Sequence, residues 1–211
     1  KLLPKKEDYE KFLEIIEIQP VNAIRCNTLK ISPDELKKRL EKKGWKITLP
    51  WKKFPEVMII ENNLMPGEIG RSLEHLLGYY YVQEIVSMLP VLILDPKENE
   101  SVLDLCASPG SKTTQIASRM NNKGNLVANE PNLDRLRILA SNLERCGVSN
   151  VMITRKDGRD ICENLKEKKI LFDKILVDAP CSGEGTLRSS PKTAIMWNIK
   201  TVKKLPKTQE K

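Results

Sequence analysis

Three groups of residues in this chain are of types and spacings that could do chemistry. Cys181 sits in Asp178-Ala-Pro-Cys-Ser-Gly-Glu-Gly185. A thiolate adding to carbon 6 of a pyrimidine makes carbon 5 enamine-like, so that carbon 5 can attack a methyl sulfonium; this is covalent catalysis by an activated nucleophile. A buried, inert thiol is the competing reading of Cys181. The second group is the loop Cys106-Ala107-Ser108-Pro109-Gly110-Ser111-Lys112. It can set backbone N–H groups and a helix N-terminus against an anion, and Gly110 permits close backbone approach. A plain structural turn competes here. Lys112 could lower a neighbouring thiol's pKa or contact substrate. The third group is the acids Glu130 and Asp157. Glu130 lies 20 residues past Gly110, the spacing of a carboxylate that binds ribose hydroxyls, and Asp157 could reach an adenine amino group. Either acid alone also reads as a solvated side chain.

These residues need elements that bring them to one place. Val102–Leu105, Asn125–Asn129, Val151–Thr154 and Phe172–Val177 read as strands. Helices over Lys112–Met120 and Asp134–Cys146 alternate with them. Such alternation predicts a parallel, doubly wound sheet, a Rossmann-like α/β fold. Ligands of open parallel sheets bind outside the carboxyl ends of the strands. The loop from Cys106, Glu130, Asp157 and Asp178 all follow predicted strand ends. The set describes an adenosine-containing cofactor. The dinucleotide fingerprint G-x-G-x-x-G and the phosphate loop G-x-x-x-x-G-K-[ST] are both absent. S-adenosylmethionine (SAM) has a carboxylate, a ribose and an adenine but no phosphate, and suits the loop better.

Ahead of this region, residues 6–18 carry Tyr9, Phe12, Leu13 and Ile16 at helical spacing. Asn22–Lys30 reads as a strand. Ser32, Pro33 and Glu35 form a capping-box start, with Leu36 and Leu40 on one face and Gly44 as the stop. Lys46–Leu49 and Val57–Ile60 are short strands, giving a small α/β lobe over residues 20–62. Asn62–Gly70 reads as a linker, Ser72–Leu89 as one helix or two joined near Gly78, and the tail from Asn198 as loosely ordered. The expected division is an N-terminal helix and lobe, residues 1–65, and a Rossmann-like domain, residues 66–211.

The chain has 211 residues, 40% hydrophobic and 30% charged, a globular composition. Its longest apolar run, Met88–Leu94, has seven residues and contains Pro90, too short for a membrane span. No signal segment is recognised at its start. Five widely spaced cysteines with no C-x-x-C, and His75 as the sole histidine, argue against a metal site and a disulfide framework and for a cytoplasmic setting. Cys26, Cys146 and Cys162 read as buried thiols, and His75 as a partly buried helix residue. The net charge of +8 is concentrated in residues 96–211, with 21 basic and 14 acidic residues. That suits a polyanionic partner such as nucleic acid.

Leu103-Asp-Leu-Cys-Ala-Ser-Pro-Gly-Ser-Lys-Thr-Thr114 together with Asp178-Ala-Pro-Cys-Ser-Gly-Glu-Gly-Thr186 resembles the NSUN (Sun-type) RNA cytosine-5 methyltransferases. Arg25-Cys-Asn-Thr-Leu-Lys30 and Gly78-Tyr-Tyr-Tyr-Val-Gln83 match that family's upstream segments, so the resemblance runs from about residue 20 to Trp197. It implies a SAM-binding domain preceded by a small RNA-recognition-like lobe, and formation of 5-methylcytosine in RNA, with tRNA favoured over rRNA. Cys106–Lys112 would hold the methionine end of SAM, Glu130 the ribose and Asp157 the adenine side. Arg135 would shape the pocket, and Asp178 would lie beside SAM and the target base. Cys181 would help release the product from a covalent adduct. The family's usual nucleophile is a second cysteine in a Thr-Cys-Ser motif on a later strand, and no cysteine follows Cys181 here. The sequence therefore reads as C-terminally incomplete, with one sheet edge and one apolar face uncovered unless a complementary C-terminal segment supplies them. Two further readings stay open: a non-catalytic SAM- or RNA-binding piece that needs such a segment, and an enzyme in which Cys181 is itself the nucleophile.

Overall fold

A computed structural model describes residues 5–18, 20–188 and 190–210. Two compact units form: Asn22–Asp178 is one, and the chain ends, Lys1–Val21 with Ala179–Lys211, make the other.

The larger unit opens with an antiparallel sheet. Its strands are β1 (Asn22–Cys26), β2 (Ile47–Thr48), β3 (Val57–Ile60) and β4 (Tyr80–Val82), in the order β2-β3-β1-β4. Between β1 and β2 runs a helix, Pro33–Glu41. Ser32 caps it by accepting the Glu35 N–H, and it buries Leu36 and Leu40 against Ile24, Trp45 and Met58. The chain after the linker differs from expectation. Leu73–Leu76 is a single helical turn, Gly78 then takes φ +70°, and Tyr80–Val82 pairs with β1. Two tyrosines and a valine favour a pleated surface, and Tyr80 and Tyr81 are buried on it. The expected strand Asn22–Lys30 stops at Cys26, where the Asn27 side chain turns the backbone by accepting the Leu29 N–H.

The apolar helix Ile85–Leu94 leads to the second sheet. Here β5 (Ser101–Asp104), β6 (Asn125–Asn129), β7 (Val151–Thr154) and β8 (Lys174–Leu176) are all parallel, in the order β7-β6-β5-β8. The crossovers are the helices Ser111–Arg119, Leu133–Cys146 and Gly158–Glu167, the last of which went unassigned from the sequence. Val102, Ile116, Leu126 and Leu176 meet in one core cluster, and Ala128, Leu139 and Leu143 in another. After β7 the order reverses to the far side of β5, so the topological switch point lies at the carboxyl ends of β5 and β8. The outer strand β8 leaves Ile175 about half exposed, as is Val177 just past its end.

In the smaller unit, the helix Lys6–Glu17 forms as expected, but its stripe is open to solvent at Tyr9, Phe12 and Leu13. The lysine-rich tail is ordered into a helix, Ile199–Gln209, because the Asn198 side chain caps it on the Thr201 N–H at 2.9 Å. Among the described residues no helix is long and apolar enough to cross a membrane.

Candidate functional site

The loop after β5 enters the helix Ser111–Arg119 through Gly110, whose φ is +102°. A Cβ at Gly110 would stand 3.1 Å from the Leu139 side chain, so glycine suits both the backbone and the space. This helix begins without a side-chain cap, as does Ile85–Leu94, whereas Ser32, Asn132 and Asp157 cap the three helices Pro33–Glu41, Leu133–Cys146 and Gly158–Glu167. Its first-turn N–H groups are thus left for an anionic ligand. The loop itself is held from all sides. Ala107 N donates to the Asn129 carbonyl at 2.9 Å, Ser108 Oγ to the Arg135 carbonyl at 2.9 Å, and Asn142 Nδ2 to the Pro109 carbonyl at 2.9 Å. Ser108–Pro109 is a cis peptide.

Lys112 projects from the first turn across the switch point. Its Nζ lies 2.7 Å from Asp178 Oδ2, just past β8, and 3.4 Å from Ser87 Oγ. Lys112 is mostly buried and Asp178 largely open. Below the loop, Asp104 is buried at the end of β5 and accepts the Thr113 hydroxyl at 2.7 Å. Burial, only partly offset by Thr113 and Lys112, raises its carboxyl from 3.8 to about 6. Burial, followed by the carboxylates of Asp104, Asp178 and Glu130, also raises the Cys106 thiol, so that thiol stays protonated. Burial pushes Cys26 to about 12 and raises Cys146. Cys162, expected to be buried, is exposed on the polar side of its helix.

Asp104 makes the stability of the fold depend on pH. The folded chain holds this proton more tightly than the unfolded chain. Its favourable contribution is complete below about pH 4 and is lost as pH rises through about 6. Asp104→Asn cannot ionise and should lose less stability than the wild type between those limits. The difference should be on the order of 3 kcal/mol by pH 7, read from urea denaturation. Parallel pH profiles of the two proteins would contradict this.

Glu130 follows β6 and is 2% exposed. One carboxylate oxygen accepts the Asn132 N–H at 2.9 Å, and the other has Arg135 Nη2 at 3.5 Å. Arg135 also donates to the Ser108 carbonyl at 2.9 Å, which ties the acid to the loop. Asp157 caps the helix Gly158–Glu167 and pairs with Arg159 at 2.9 Å, which lowers its carboxyl. Its side chain is therefore already engaged by its own helix. Topology brings Cys106–Lys112, Glu130, Arg135, Asp157 and Asp178 to one edge of the parallel sheet. Cys181, three residues past Asp178, belongs to the smaller unit. There it is exposed and lines a small pocket with Thr193, Met196 and Trp197.

Several residues that build this site were not singled out from the sequence. Asn129, fully buried, donates to the Leu105 and Lys156 carbonyls at 3.2 and 3.0 Å and accepts from Thr154 and Lys156, so it gathers the ends of three strands. Tyr81 reaches the Pro109 carbonyl at 3.4 Å and lies against the guanidinium groups of Arg25 and Arg145. Arg25 itself is buried among the apolar residues Ala23, Ile24 and Cys26 of its strand. That is the signal the sequence offered, because charged residues seldom occupy such positions without a partner.

Residues 91–211 match the family described as 16S rRNA methyltransferase RsmB/F, and residues 1–85 match the N-terminal domain of 16S rRNA methyltransferase RsmF. The chain belongs to the RsmB/F methyltransferase family. Ribosomal RNA small subunit methyltransferase F of Aliivibrio salmonicida is 42% identical over 210 residues, covering 98% of this chain and 44% of that protein. The protein of that name in Vibrio cholerae is 39% identical, covering 100% of this chain and again 44% of its own length. The chain thus spans less than half the length of these relatives. A solved methyltransferase homolog from Pyrococcus horikoshii is 39% identical with a TM-score of 0.73, over 85% of this chain and 56% of that one. NSun6 from Pyrococcus horikoshii, solved with SFG, is 24% identical with a TM-score of 0.80, over 99% of this chain and 75% of that one. At that identity its likeness concerns the fold alone, and it is a Rossmann-like methyltransferase fold, as expected. The RsmB/F family is SAM-dependent. An uncapped helix N-terminus and a buried carboxylate one strand away are the donor and acceptor set that SAM's carboxylate and ribose call for, so the residues present fit this cofactor.

Proposed function

We propose that this chain carries the SAM-binding and RNA-contacting part of an RNA (cytosine-5) methyltransferase acting on small-subunit ribosomal RNA. The observation that carries the proposal is the Lys112–Asp178 pair at the switch point, set beside the uncapped helix start. The relatives' names speak for ribosomal RNA, and the preference for tRNA drawn from the sequence finds no support among them. In this reading the amides around Cys106–Lys112 take the cofactor's carboxylate. Glu130, steadied by Arg135, takes the ribose, and Asp157 borders the adenine. Bound SAM supplies an electrophilic methyl group.

The protein's part is to make carbon 5 of cytosine nucleophilic. A cysteine thiolate adds to carbon 6, and the negative charge this places on the ring is met by a proton passed to ring nitrogen 3 through Asp178 from the Lys112 ammonium beside it. Carbon 5 takes the methyl group. A base, the role of Cys181, then takes the carbon-5 proton, the thiolate leaves carbon 6, and the ring-nitrogen proton returns through Asp178, which restores the cytosine ring. Cys181 acts on this adduct to release the product. A Cys181→Ser protein that no longer traps RNA covalently would instead make Cys181 the nucleophile. The basic stretches Asp34–Lys53 and the chain from Glu184, each with a net charge of +5, would meet phosphates.

The exposed residues Ile175 on the outer strand and Val177 just past it favour one second reading, in which the chain binds SAM but needs a complementary segment for transfer. Methyl transfer from labelled SAM to unmodified small-subunit RNA, with nucleosides identified after digestion, separates the two. Label in 5-methylcytosine supports a chain that is catalytic by itself, with Cys181 as the nucleophile. Absence of label from a folded chain that SAM stabilises favours the second reading. No stabilisation by SAM would overturn both.

A further inference from the structure

The helix that receives the cofactor's carboxylate in the proposed reading is fastened by a residue of the other sheet. Arg25 stands on β1 and is 1% exposed. Its Nη1 donates to Gln83 Oε1 and, at 2.6 Å, to the carbonyl of Ser111, the first residue of the helix Ser111–Arg119. Its Nη2 donates to Thr114 Oγ1 at 2.7 Å, one turn along. The guanidinium thus clamps both ends of the first turn, whose N–H groups face the site.

Its charge is oddly placed for a structural residue. All three hydrogen-bond partners are neutral, and the nearby acid, Glu56, is itself paired with Arg119 at 3.5 Å. Burial lowers the guanidinium to about 10, which still leaves it charged at neutral pH. A cation at a helix N-terminus faces the positive end of the macrodipole, which is unfavourable for the helix alone. The same arrangement becomes favourable when an anion docks at that end, because helix and guanidinium then attract it together.

We infer that Arg25 is a positioning residue for the cofactor: it sets the first turn of the helix Ser111–Arg119 and supplies buried positive charge for the ligand's carboxylate. This rests on SAM binding at that helix. The N-terminal lobe, on this account, is part of the cofactor site as well as a surface for RNA.

The test compares two ligands on the full chain by calorimetry. S-adenosylhomocysteine carries the amino-acid carboxylate, and 5′-methylthioadenosine keeps the adenosine but lacks that carboxylate. Arg25→Met should weaken S-adenosylhomocysteine by about tenfold or more, equivalent to about 1.4 kcal/mol, and leave 5′-methylthioadenosine within about twofold. Arg25→Lys, which keeps the charge, should recover most of the loss and serves where Arg25→Met fails to fold. Asn27→Ala is the control. Asn27 bridges to the Gly78 and Cys146 carbonyls and to Ser118, away from the first turn, so its loss should lower stability and spare both affinities. Equal weakening of both ligands, or none, in the Arg25 variants would overturn the inference. Failure of the wild type to bind S-adenosylhomocysteine would instead overturn the cofactor site itself.

Discussion

Asp178→Ala is expected to lower methyl transfer by roughly 10²–10⁴-fold, the usual contribution of a positioned acid or base, with little change in stability. The two effects separate for a physical reason. The carboxylate is 58% exposed, and its ion pair among the described residues is with Lys112. Ion pairs this open to solvent typically contribute about 0–1 kcal/mol to folding. In the proposed reaction the same group relays a proton from Lys112 to the negative charge that develops on the target ring. Asp178→Asn keeps the shape and should still lose most of the activity, because an amide cannot pass a proton to the base. Transfer is measured in whichever form of the protein shows wild-type activity, this chain or the chain with a complementary segment, alongside urea denaturation. An Asp178→Asn protein with near-wild-type transfer would remove Asp178 from the chemistry.

The largest expected effect on stability is at Gly78. Its φ is +70°, and a Cβ there would stand 1.9 Å from the Arg145 carbonyl oxygen, inside the space where the two halves of the larger unit meet. That carbonyl also accepts the Lys30 ammonium at 2.7 Å, and Asn27 donates to the Gly78 carbonyl at 2.8 Å. The carbonyl cannot retreat without breaking these bonds. Gly78→Ala should therefore cost roughly 2–5 kcal/mol, from the left-handed backbone and from overpacking together. Gly44, with φ +87° and nothing within 4 Å of its Cβ position, isolates the backbone part. Gly44→Ala should cost about 1–2 kcal/mol. Denaturation midpoints at constant slope measure both, and equal losses would contradict the close approach at Gly78.

The parallel sheet was legible because each of its elements carries its own local signal. Asn125–Asn129 and Val151–Thr154 are short apolar runs between turns, and both strands have the expected bounds. The loop and acids at their ends followed from strand polarity and, for Glu130, from its spacing past Gly110. Tyr80–Val82 was not legible in the same way. Its pattern suits a helix as well as a strand, and only the free edge of β1, supplied by residues more than fifty positions earlier, decides the matter. The polar bridge between the sheets was invisible for the same reason. Arg25, Asn27 and Gln83 find their partners 32 to 119 residues away, on Ser111, Thr114, Gln115, Ser118 and Cys146. Family resemblance marked those segments as shared. Their geometry explains why: they lock the small lobe to the helix beside the site. The helix Gly158–Glu167 was missed because a run of charged residues hid the pair Ile161 and Leu165 that faces the sheet.

The account's central claim is that the edge formed by Cys106–Lys112, Glu130 and Asp178 is a SAM site. The most direct measurement is a crystal structure of the chain grown with S-adenosylhomocysteine. The account predicts the ligand's carboxylate against the backbone N–H groups that open the helix Ser111–Arg119, its ribose hydroxyls on Glu130, and its sulfur near Asp178. Ligand bound elsewhere, or an edge that stays empty while calorimetry reports binding, would contradict it.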